Sequence, residues 1–121
     1  MRPWLARRTC SQCVPGGLVH DIGKLAILTA LDELVTQSDS MPSRPLIDEV
    51  LTTLHASAGE ALLRAWKLPE VYQRVAAHHH DEALDPSDNV VTLVRLSDQA
   101  ARKAGISLTP DASLLLSATA E

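Results

Sequence analysis

The sequence predicts an all-α fold, a bundle of helices, on three observations. The apolar residues are mostly Leu, Ala and Val; Phe is absent, and Trp4, Trp66 and Tyr72 are the only aromatics. Leu and Ala favour helices, while the aromatic strand formers are scarce. From Leu18 onward the apolar positions recur at spacings of three and four, the helical period. Polar stretches rich in Pro, Asp and Ser separate these runs. With 121 residues, 45% of them hydrophobic and 21% charged, the chain suffices for one domain with a modest core.

The elements follow in order. Residues 1–16 have weak periodicity and run into Pro15-Gly16-Gly17, so they read as an irregular segment ahead of a helical domain at 17–121. Leu18, Ile22, Leu25, Leu28, Leu31 and Val35 form the stripe of a first helix, with a break or bend expected at Gly23. Residues 36–46 read as a loop. A second helix is expected from Ile47 to Trp66, on a stripe that includes Val50, Leu51, Leu54, Ala58 and Leu62. Pro69 fits the first turn of a third helix, to His79. Ser87 or Asp88 would cap a fourth, from Asn89 to Ala104, closed by Gly105. Thr109 would cap a last short helix to about Ala120.

Charge and cysteine content exclude some functions. A net charge of −4 leaves no electrostatic footprint for nucleic acid. No run of 18 apolar residues stands out, so no membrane span is expected, and no signal-peptide pattern follows Arg2. The expected location is cytoplasmic. Cys10 and Cys13 are spaced C-x-x-C, but two sulfurs alone do not make a structural zinc site, and no βαβ pattern accompanies them.

Four of the five histidines fall in two clusters with carboxylates, His20-Asp21 and His78-His79-His80-Asp81-Glu82. Adjacent residues at a helix end can turn an imidazole nitrogen and a carboxylate oxygen toward one cation. Imidazoles at the end of the third helix also suit the helix dipole. His55 stands in an otherwise apolar helix and shares a face with Gly59, Leu62 and Trp66. Asp98 lies on the stripe of Val91, Val94 and Ala101. A carboxylate on a buried face must be paired, hydrogen-bonded or metal-bound. Together these residues supply imidazole and carboxylate from four helical segments, a mixture that suits Fe, Mn, Ni or Zn rather than calcium.

These motifs resemble the HD superfamily, most closely its HDOD branch. GLVHDIGKLAIL at 17–28 resembles the central motif. HASAGEALLRAWKLPEVYQRVAAHHHDE at 55–82 resembles the HDOD pattern of a histidine, a glycine four on, a tryptophan, Leu-Pro-Glu and paired histidines. VTLVRLSDQAARKAGI at 91–106 resembles the helix that carries the last aspartate. The resemblance implies an HD-type helical bundle with metal ligands His20, Asp21, His55, His79, His80 and Asp98, for one or two divalent ions. His79 and His80 match the family's pair better than His78 does. Asp21 and Lys24 would be the catalytic residues if the site turns over, Lys24 meeting phosphate.

Three departures bear on function. No histidine precedes His20, where related hydrolases carry a further ligand. Residues 1–16 do not resemble the family's lead-in helix, as in a truncated or divergent copy. The Gly-Tyr-Pro signature of the cyclic-dinucleotide phosphodiesterases is replaced by Asp81-Glu82-Ala83-Leu84-Asp85. The expected function is therefore a metal-binding signalling or output module with a degenerate phosphohydrolase site. The alternative is an active metal-dependent phosphohydrolase on a nucleotide or other phosphate ester. A signalling protein partner is expected, and an apolar face lacking an N-terminal layer would favour homo-oligomers.

Overall fold

The computed structural model describes residues 3–106, with side chains from Ser11 onward. Five helices and no strand appear among the described residues: α1 Pro3–Val19, α2 Ile22–Ser38, α3 Arg44–Ala65, α4 Glu70–His78 and α5 Asn89–Lys103. The all-α bundle is as expected. The last expected helix, Thr109 to Ala120, lies outside the described residues.

The helix ends follow local chemistry. Asp39 closes α2 in the left-handed region at φ 50°. The Ser43 hydroxyl accepts from the Leu46 N–H to start α3, with Pro45 in the first turn. The loop is therefore shorter than residues 36–46, and the second expected helix begins before Ile47. Pro69 stands just outside α4 rather than in its first turn. Asp88 caps α5 by accepting from Val91, and Gly105 leaves it at φ 79°.

The expected irregular segment at residues 1–16 is corrected: α1 runs through Pro15, Gly16 and Gly17. A proline inside a helix costs about 3 kcal/mol, so tertiary packing must offset it. Gly16 is buried there. A Cβ there would stand 3.5 Å from Val94 and 3.7 Å from both Val75 and Val90. These valines, with Val91, form the main core, against which Cys13, Val71 and Leu84 pack. α1 is thus laid against α4 and α5.

The break expected at Gly23 is also corrected. The chain turns at His20-Asp21, and Gly23 lies inside α2. Its role is contact. A Cβ on Gly23 would stand 1.9 Å from the His55 carbonyl oxygen and 2.6 Å from the Gly59 nitrogen. The two glycines let the backbones of α2 and α3 touch. The buried face of α3 runs His55, Gly59, Leu63, whereas Trp66, expected on that face, is exposed.

The stripe expected to bury the first helix is largely uncovered. Leu18, Leu25 and Leu28 are all exposed. Moreover, Ser11–Ser38 is long and apolar enough to cross a membrane by length and composition, contrary to the sequence expectation. The backbone is interrupted in the middle of that stretch, at His20-Asp21.

Candidate metal centre

All six residues singled out as ligands come together. His20 and Asp21 occupy the turn between α1 and α2. His55 comes from the middle of α3, His79 and His80 from just beyond the end of α4, and Asp98 from α5. Asp21, His55, His79 and His80 form one cluster and His20, Asp21 and Asp98 a second; within each, one ligand atom per residue lies within 4.8 Å of the others. Asp21 belongs to both. The α2–α3 contact at Gly23 and Gly59 is what brings the His20-Asp21 turn over His55.

The imidazoles are oriented by the backbone. His20 Nδ1 lies 2.6 Å from the Gly17 carbonyl oxygen and His55 Nδ1 lies 2.7 Å from that of Leu51. His79 Nδ1 is 3.0 Å from the carbonyl oxygens of both Val75 and Ala76. A carbonyl only accepts, so each Nδ1 carries the proton and donates. In the neutral ring the lone pair is then on Nε2. These Nε2 atoms all point inward. His55 Nε2 and His79 Nε2 lie 3.3 Å apart, and they lie 3.5 and 3.2 Å from Asp21 Oδ1. His20 Nε2 lies 3.4 Å from Asp21 Oδ2 and 3.5 Å from Asp98 Oδ1.

Neutral imidazoles thus aim acceptors at acceptors. Asp21 Oδ1 and His20 Nε2 are buried without a hydrogen-bond partner, close as their neighbours are. Desolvated acceptors facing one another are costly unless a proton or a cation stands between them. Ligands at roughly 2.0–2.2 Å from a metal lie about 3–3.5 Å from each other, and a ring nitrogen held by a carbonyl is the usual outer support of a metal-binding histidine. The residues therefore fit a divalent cation.

The electrostatics differ across the cluster. Burial pulls the His55 imidazolium below its usual range despite the Leu51 carbonyl and Asp21. Burial, then His79 and His55, pull His80 down to about 4. Burial also disfavours charged His20, but Asp98, Asp21 and the Gly17 carbonyl outweigh it and raise the pKa. For Asp21, burial opposes ionisation, yet His79, His20 and Lys24 hold the carboxyl well below the usual carboxylate range. Asp98 is likewise lowered, burial being outweighed by His20.

The remaining site residues fall at the edge. Lys24 Nζ donates to Asp21 Oδ2 at 3.1 Å. His78 pairs with Asp81 at 2.6 Å, exposed and outside both clusters. Cys13 packs against the valine core. Sequence reading missed the positioning role of Gly23 and Gly59. The available signal was glycine inside two helical runs, which propensity alone disfavours.

A family model for the HDOD domain matches residues 5–82. The chain belongs to the HDOD family. The match takes in most of α1, so the N-terminal stretch read as unlike the family is part of it. It ends before α5, so Asp98 lies beyond it. No curated protein and no solved structure matches the chain.

Proposed function

We propose that this HDOD domain is a signalling or output module whose His/Asp cluster binds one or two divalent cations. The observation that carries this is the orientation of three imidazoles: each Nδ1 is committed to a backbone carbonyl, leaving Nε2 of His20, His55 and His79 directed at Asp21 or Asp98. His80 completes the inner cluster. Fe(II), Mn, Ni and Zn all accept this donor set. A bound ion would supply Lewis acidity toward a phosphate oxygen. The protein's own contribution is to hold the donors fixed and to keep Lys24 beside them.

The site is read as degenerate because no Gly-Tyr-Pro follows His80. The exposed Leu18 and Leu25 on α1 and α2 are the surface on which a protein partner, or a second copy, would be sought. A second reading, an active phosphohydrolase, is favoured by one observation: all six ligand residues converge and three of them, His55, His80 and Asp98, line an open cleft.

Elemental analysis of the purified protein, with melting curves of stripped protein plus each metal, tests the first reading. A bound metal and a raised melting temperature are expected, with no hydrolysis of phosphomonoesters or phosphodiesters. No shift with any of these metals would defeat the metal reading, and metal-dependent turnover would establish the second.

A further inference from the structure

The cleft beside the cluster has a volume of about 750 Å³. His55, His80 and Asp98 meet its floor, and Lys24 lies at the junction. Its wall is aliphatic: Leu28 of α2, Met41 of the following loop, and Ile47 and Leu51 of α3. Leu28 and Met41 are both exposed. Arg44 and Arg102 stand on the rim, Arg44 paired with Asp48 at 3.0 Å.

Such a volume is ample for a small ligand, and an apolar wall with a few polar groups at one end is the usual form of such a site. The wall limits what the ligand can be. Among the described residues that line the cleft there is no Phe, Tyr or Trp. Its only aromatic rings are the imidazoles of His55 and His80, which belong to the cluster. Protein sites that hold a nucleobase usually stack it on an aromatic or guanidinium plane; in this lining only Arg44, already paired with Asp48, and Arg102 offer a guanidinium. Asp48, Thr52, Thr53 and Asp81 also line the cleft, beside the aliphatic side chains.

We propose that the cleft binds a small amphiphilic anion, a phosphate head carrying an aliphatic chain, in preference to a nucleotide. The head lies on the floor beside Lys24, against whatever cation the cluster holds. The chain lies along Leu28, Met41, Ile47 and Leu51. The placement of the head rests on the metal reading; the placement of the chain does not. The same chemistry belongs to soluble alkyl phosphates and to phosphate-headed lipids.

The test is calorimetric titration of the full chain with inorganic phosphate, then ethyl, butyl, hexyl and octyl phosphate, with AMP as competitor. The series is run with Mn(II) and again on metal-stripped protein. Affinity should rise with chain length, by up to about fourfold per methylene if each is fully buried. Leu28→Gln and Met41→Gln replace exposed residues with uncharged ones and should flatten that rise while inorganic phosphate still binds. A flat series under both conditions, or AMP binding tighter than octyl phosphate, overturns the proposal. A metal-induced rise in melting temperature with a flat series defeats this inference alone. A rising series without any metal effect defeats the metal reading and leaves the chain site standing. Co-sedimentation with phosphatidylcholine vesicles containing phosphatidic acid identifies a bilayer as the source of the ligand. Octyl phosphate binding without co-sedimentation identifies a soluble one.

Discussion

The side chains of His55 and His79 are 4% and 0% exposed, whereas those of His20 and Asp98 keep 17% and 13% of their surface open. These are the inner and outer halves of one cluster, joined at Asp21. The inner half has three imidazoles on one carboxylate; burial lowers the pKa of His55, and His80, exposed at the edge of this half, is lowered to about 4 by desolvation and by His79 and His55 beside it. The outer half has one imidazole between two carboxylates, which favour its protonated form. The inner half is framed by α2, α3 and α4, within the stretch that matches the family. The outer half needs α5, which lies beyond that match. Under the proposed metal reading similar donors would serve differently: the inner half would take a cation directly, and at the outer half the cation would compete with a proton that the two carboxylates favour on His20.

The largest effect should come from breaking the contact that both halves share. Gly23→Ala would put a methyl 1.9 Å from the His55 carbonyl oxygen, which is backbone and cannot step aside. A loss of about 3 kcal/mol or more is expected in denaturant unfolding, at the upper end of overpacking costs. A loss below about 1 kcal/mol would mean that close approach of α2 and α3 does not hold the site together.

Removing the shared ligand comes next. At a hundredfold excess over its dissociation constant, a metal that binds only the folded chain stabilises it by about 2.7 kcal/mol. Asp21→Ala should abolish that gain for Mn, Fe(II), Ni and Zn in melting experiments. Cys10→Ala should leave it intact. Loss of the gain in the cysteine variant would move the metal from the His/Asp cluster to the C-x-x-C pair.

The halves should also separate under single substitutions. Removing an outer support of a metal ligand costs on the order of 10–100-fold in affinity, and losing a ligand should cost at least that. His79→Ala should weaken the first equivalent of metal far more than Asp98→Ala does. Titration calorimetry with equal losses for the two variants would make the cluster a single site.

The smallest effect concerns pH. The folded pKa of His20 is raised, so its protonated form adds stability that is fully present below 6.5 and is lost as pH rises through the folded value. A metal must displace that proton, so binding at the outer half should weaken as pH falls from 8 to about 6. His80, held down to about 4, is already neutral at pH 6. The first equivalent should therefore change less than the second. A parallel decline of both equivalents would remove the electrostatic distinction.

The sequence by itself determined the helical class, most helix boundaries and the identity of the clustered residues. Helical spacing, caps such as Ser43 and Asp88, and the motifs around His20, His55, His79 and Asp98 are local features, and local chemistry is written along the chain. Tertiary structure alone decided the rest. α1 continues through Pro15-Gly16-Gly17 against propensity, with Gly16 buried beside the valines of α4 and α5. Gly23 became a contact between helices instead of a break, since its value depends on the backbone of α3, some thirty residues later. The exposure of Leu18 and Leu25 could not be read from a periodic stripe, which shows where apolar residues point but not whether anything covers them. The inward lone pairs depended on which carbonyl each Nδ1 met, and the aliphatic cleft on side chains from separate segments; both are relations between distant parts of the chain.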